Sequence, residues 1–261
     1  MTHKNYIRTG QCIWCAKKYP STKFNTKPHI IPNSLGADEI GVDVCDECNH
    51  EFGTTHIINK PCVDLCVKEI FQAYKIFCRN VNENTYKSFK SIFFSYRHEQ
   101  QTIIINKKFN SRTITRQFKR GLYELFLQKY HLVTGDGNNS MFDMIRKFAR
   151  YDYGNPRVLY TYNNIVFLPD EKQMLTLHIS KKEIEIIQNT GVFPLTLLGQ
   201  TFYLEIFPTI FITKGLEFIQ EEAKTMLLPV KGNERIFEFS DIMQIDFFMQ
   251  RFNSGNRASL Y

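Results

Sequence analysis

Apolar positions along the 261 residues change period from one part of the chain to the next. Between Pro61 and about Arg79, the residues Val63, Val67, Ile70, Phe71, Tyr74 and Phe77 recur every three or four positions, which predicts a helix with one apolar face. Residues 88–109 bring Phe93, Phe94, Tyr96 and the run Ile103-Ile104-Ile105, a strand pair with its turn near Glu99. Asn110-Ser111 reads as the cap of a helix over about 112–130. Ile114, Phe118, Leu122 and Leu125 line one face of that helix, and Arg112, Arg116, Lys119 and Arg120 cluster on the opposite side. The loop Thr134-Gly-Asp-Gly-Asn-Asn139 leads into a second helix from Ser140 to about Arg150.

Beyond Tyr151 the pattern turns to strands at 157–168, 174–179, 196–208 and 236–239, with short helices near 181–188, 215–225 and 240–250. Ahead of Pro61 the elements are short. They are a loop or hairpin over 10–26, an extended His29–Ile31 bracketed by Pro28 and Pro32, a strand at Val42–Val44 and a helix beginning over Cys45–Phe52. The expected class is α+β, in three segments: 1–60, a basic and mainly helical 61–150, and an α+β domain over 151–261.

Composition adds limits to this outline. A hydrophobic fraction of 43 % and an aromatic fraction of 14 % are ample for a buried core. The sequence has no run of about eighteen apolar residues, so no membrane span is expected. The start, Met-Thr-His-Lys-Asn-Tyr-Ile-Arg, has no apolar core of a signal peptide, and a cytoplasmic location is expected. Seven cysteines, four of them at Cys-x2-Cys spacing, suit a reducing compartment better than a disulfide framework. The net charge of +7 is unevenly spread: residues 61–150 hold 16 Lys and Arg against 7 Asp and Glu, whereas residues 151–261 are slightly acidic. A positive middle would steer a polyanion toward the segment before it. The Arg112, Arg116, Lys119 and Arg120 face either lies along a phosphate backbone or is ordinary solvated surface.

The chemistry concentrates in the first segment. Cys12-Ile-Trp-Cys15 and Cys45-Asp-Glu-Cys48 are each half of a tetrahedral site, and together they make a four-thiolate shell for a structural Zn²⁺. Between them lies Lys27-Pro-His-Ile-Ile-Pro-Asn-Ser-Leu-Gly36, a loop that carries His29. Asn49 and His50 follow directly on the last thiol. Trp14, inside the first knuckle, is expected to pack over the metal site. Cys62 and Cys66, one helical turn apart, read as core thiols.

The succession Cys-x2-Cys, His-Ile-Ile-Pro-x-Ser-Leu-Gly and Cys-x2-Cys-Asn-x-x-Phe-Gly resembles the HNH endonucleases, of the ββα-metal fold, over residues 10–55. The resemblance implies that His29 is the general base that activates water. It implies that Asn49 is a ligand of a catalytic Mg²⁺ or similar divalent cation, with His50 as a further ligand, a phosphate contact or a surface residue. Nucleic acid is the implied substrate, DNA the expected polymer, and a homodimer would cut both strands. Restriction or phage defence is the context such an architecture suggests.

Two positions depart from the pattern. Pro28 stands where the family has Asp, Glu or His, and Ile40 and Gly41 stand where an asparagine orients the base. Asp38, Glu39, Asp43 and His50 are then the remaining candidates to help hold the ion. The alternatives are a zinc finger that binds nucleic acid without cutting it, and a C-terminal domain that binds protein or ligand beside a relic finger.

Overall fold

The computed structural model describes residues 6–55, 60–77, 89–97, 102–107, 109–161, 175–198, 200–226 and 236–245. In chain order its helices are α1 (Asp46–Gly53), α2 (Val63–Phe77), α3 (Ser111–Thr134), α4 (Asp143–Tyr151), α5 (Lys181–Thr190) and α6 (Leu216–Met226). Its strands are β1 (Phe94–Arg97), β2 (Thr102–Ile105), β3 (Val158–Thr161), β4 (Val192–Leu197), β5 (Gln200–Glu205) and β6 (Ile236–Glu238). The class is α+β.

The centre is α3. Asn110 caps it by accepting from the Thr113 N–H, and Gly135, at φ 85°, ends it by donating back to the His131 carbonyl. Of its 24 residues 16 are buried, so it is covered on every side rather than along one stripe. Helix α2 lies close against it because a Cβ on Gly121 would run into Val67. Helix α4 packs through Phe148, edge-on to Tyr123 at 5.6 Å. The antiparallel sheet, ordered β4-β5-β3-β6, meets it through Phe118, whose ring lies 5.6 Å from Phe202 and 5.9 Å from Phe239. Phe118, Tyr123 and Phe126 have no exposed surface, and each contributes about 1.5–3 kcal/mol by burial. One continuous apolar core runs from Cys12 to Ile245 and joins all three segments.

Several expectations shift. The strand expected at 174–179 is alternating coil: Leu175, Leu177 and Ile179 point inward, but the Leu175 N–H donates to the Gly36 carbonyl rather than to a ladder. The strand expected over 196–208 is the second arm of a hairpin, since the chain turns after Leu198, at φ 52°, and β4 pairs with β5. Before α4 the chain makes a 3-10 turn over Ser140–Phe142. The turn near Glu99, the whole stretch 162–174 and the end of the helix expected at 240–250 lie outside the described residues. Among the described residues no helix is long and apolar enough to cross a membrane.

Candidate metal centre and active site

Residues 6–45 carry almost no regular structure, so side-chain chemistry shapes them. The first knuckle closes through Ala16 N–H to Cys12 O at 2.9 Å and Cys12 N–H to Lys17 O at 2.9 Å, with Ala16 at φ 59°. Cys45 is the N-cap of α1, and Cys48 lies within the helix's first turn. The four sulfurs come within 4.8 Å of one another. Zinc–sulfur bonds of about 2.3 Å in a tetrahedron place neighbouring sulfurs about 3.8 Å apart. Cys15 Sγ and Cys45 Sγ are 3.7 Å apart, so the cluster fits Zn²⁺. Four sulfur ligands leave no open position, which suits a structural ion. Trp14 is buried and meets Phe52 of α1 edge-on at 4.9 Å.

The loop between the knuckles folds into a minimal hairpin. Ile30 N–H donates to Glu39 O at 3.1 Å and Gly41 N–H to Pro28 O at 2.7 Å, so His29 and Ile40 face each other as a non-hydrogen-bonded antiparallel pair. The second strand was expected at Val42–Val44; the pairing occurs earlier, at Ile40. Asp43 takes φ 57° and breaks the extended backbone. His29 is half-buried on this hairpin. Asn49 is half-buried on α1, its N–H bonded to Cys45 O, beside the zinc ligand Cys48. His50 is exposed, with Nδ1 3.2 Å from Thr54 Oγ1.

The carboxylates held in reserve for a catalytic ion are mostly committed elsewhere. Glu39 pairs with Lys129. Asp43 is fully buried and accepts from the backbone of Arg8, Thr9 and Gly10, from Thr9 Oγ1 at 2.7 Å and from His131 Nε2 at 2.9 Å. His131 Nδ1 accepts from the Gly137 N–H, so its Nε2 carries the hydrogen given to Asp43. Arg8 completes this buckle by donating to the carbonyls of His131 and Leu132 at the end of α3. Asp43 is therefore the joint between the finger and α3, not a metal ligand. Asp38 is exposed. Among the described residues, the four thiols are the group of three or more His, Cys, Asp or Glu whose ligand atoms come close enough to share an ion.

The four cations expected on one face of α3 separate. Arg112 is exposed. Arg116 binds Asp152 through Nε at 2.6 Å. Lys119 and Arg120 are buried, the first donating to Asn155 and the second to Gln117 and the carbonyls of Ala149 and Arg150. No continuous exposed stripe forms, because α4 and the chain after it cover that side of the helix. Arg150, expected with Arg146 and Lys147 to extend the positive surface, instead reaches the metal centre: its Nε lies 3.4 Å from Cys48 Sγ and its Nη1 3.3 Å from Glu51. A guanidinium there offsets thiolate charge.

Residues 12–58 match the model of the HNH endonuclease family. The match starts on the first cysteine of the cluster and takes in His29, Asn49 and His50, under a fifth of the chain. No curated protein and no solved structure matches. In this HNH segment the two cysteine pairs flank the His29 hairpin along the chain, and the second pair starts α1. The match gives the segment a nuclease reading with nucleic acid as substrate.

Proposed function

We propose that the protein is a metal-dependent HNH endonuclease that hydrolyses phosphodiester bonds, with DNA as its polymer. The supporting observation is that one closed four-sulfur cluster, inside the family match, joins the chain on either side of the His29 hairpin and includes the first turn of the helix of Asn49. Zn²⁺ at Cys12, Cys15, Cys45 and Cys48 would be structural. His29 would take the proton from the attacking water, and Asn49, with His50 one position on, would hold Mg²⁺ or a similar divalent ion. When bound, that ion supplies positive charge to the phosphorane and to the leaving oxygen. The reading extends to a cytoplasmic enzyme of restriction or phage defence, paired as a homodimer for double-strand cuts.

A second reading is favoured by Pro28 and Ile40. Neither offers a metal donor or a group to orient the base, and Asp43 and Glu39 are tied to α3. A finger so equipped would bind nucleic acid without cutting it.

Supercoiled plasmid cleavage by the natural protein and His29→Ala, with Mg²⁺, Mn²⁺ or EDTA, separates the two. The nuclease reading expects metal-dependent nicking that falls by about 10²–10⁴-fold in His29→Ala. Cleavage that survives the substitution would remove His29 from the mechanism. Retarded migration of DNA without cleavage in either protein would establish the binding finger.

A further inference from the structure

Beside the zinc cluster, on the side of α1 that carries Glu51 and Thr54, lies a cavity of about 300 Å³. Its walls come from four separate parts of the chain: Glu51 and Thr54, Lys60 to Val63, Gln117 and Arg120, and Arg150 to Asp152. That volume is at the lower end of small-ligand pockets and suits a group the size of one nucleotide.

The charges around it do not balance. Asp152 stands in the left-handed region, φ 58°, as the cap of α4, and aims its carboxylate at three cations. Lys60 Nζ lies at 2.7 Å, Arg116 Nε at 2.6 Å and Arg120 Nη1 at 3.8 Å. At Asp152 three cations therefore meet one carboxylate, a local excess of two positive charges, whereas Arg150 is matched by Glu51 at 3.3 Å and by the Cys48 sulfur. The Arg120 side chain is only 9 % exposed, and burial pushes its pKa down against the pull of Asp152. Such an excess in a partly closed cavity is stabilised by a bound anion. The cavity also has a flat apolar wall. The Tyr151 ring is 54 % exposed and stacked under the Arg150 guanidinium at 5.2 Å, a platform of the kind on which bases stack. His50, through Thr54, connects this cavity to the proposed catalytic helix.

We infer that this cavity is a nucleotide subsite, taking a phosphate group against Lys60, Arg120 and Arg150 and the attached base on Tyr151. The inference rests on the nuclease reading for its choice of nucleic acid, and the subsite would hold a nucleotide flanking the cut.

The test is calorimetric titration of the full-length, zinc-loaded protein, without added divalent cation. The probes are a 5′-phosphorylated dinucleotide whose internucleotide linkage is a neutral methylphosphonate, the same dinucleotide without the 5′-phosphate, and inorganic phosphate. The phosphorylated dinucleotide should bind at least about tenfold more tightly than either of the others. Lys60→Met should weaken it about tenfold, and Tyr151→Ala should weaken the dinucleotide without changing inorganic phosphate. Lys182→Glu, at an exposed lysine on α5, should change nothing. Both test variants keep their fold if their thermal midpoints stay near that of the natural protein, and Tyr151→Ala serves alone should Lys60→Met fail to fold. Equal binding with and without the phosphate, or unchanged binding in Lys60→Met and Tyr151→Ala, would overturn the subsite. Inorganic phosphate binding as tightly as the dinucleotide would overturn the assignment to nucleic acid. No cleavage is read, so the two proposals fail separately. A plasmid left intact beside Lys60-dependent binding removes the nuclease, and cleavage without such binding removes the subsite.

Discussion

At the residue scale, the finger depends on Asp43 more than on any residue outside the zinc shell. Burial works against its charge, but His131 and the backbone N–H groups of Arg8 and Thr9 outweigh it and hold the carboxyl below its ordinary range. Asp43→Asn keeps the shape but turns an NH₂ group toward donors and leaves N–H groups unpaired. The expected cost is about 3–5 kcal/mol, read from urea unfolding of the zinc-loaded protein. A cost within about 0.5 kcal/mol would mean that the buckle carries no stability. Sequence alone placed Asp43 among possible metal ligands because a carboxylate two residues before a Cys-x2-Cys looks available. Its partner His131 lies 88 positions away, and no local pattern links them.

At the scale of elements, α2 and α3 meet over two acids. Glu124 is buried, with Oε1 accepting from Gln128 Nε2 at 2.9 Å, while Oε2 has no donor. Burial pushes Asp64 up to about 6, and burial together with Asp64 raises Glu124 well above the usual carboxylate range. The folded protein therefore holds protons that the unfolded chain releases near pH 4, and stability from this pair falls as pH rises from there. Glu124→Gln keeps a donor toward Asp64 and removes the titration of residue 124. Its stability relative to the natural protein should grow by on the order of 1–2 kcal/mol between pH 5.5 and 8.5. A difference that stays constant over that range would show that Glu124 is ionised in the fold. The helical period located both helices, but it gave no sign that Glu124, Lys119 and Arg120 are interior, because a period reports one face and α3 is covered on all of them.

At the scale of the whole molecule, the zinc cluster is built into a continuous core rather than hung from a tether. Arg150 ties Cys48 to α4, Asp43 ties the finger to α3, and the apolar core continues through both. Metal analysis should find one Zn²⁺ per chain, absent from Cys45→Ser. Chelation should lower a single thermal transition by about 10 °C or more, since binding energy of the metal is folding energy here. A separate early transition, with the rest unfolding at its original temperature, would show that the finger folds apart from the body.

What the sequence determined by itself is the chemistry carried by short spacings. Two thiols on one knuckle, a histidine between prolines and an asparagine after the last cysteine are readable because the residues involved are neighbours in the chain. The amphipathic periods of α2, α5 and α6 are readable for the same reason. Tertiary structure decided the rest. It paired His29 with Ile40, turned 192–205 into a hairpin, drew Lys119 and Arg120 inward, and set Arg150 against a sulfur 102 positions away. Those outcomes depend on which surfaces meet when the core closes, and that is settled by packing between distant segments rather than by any pattern within one.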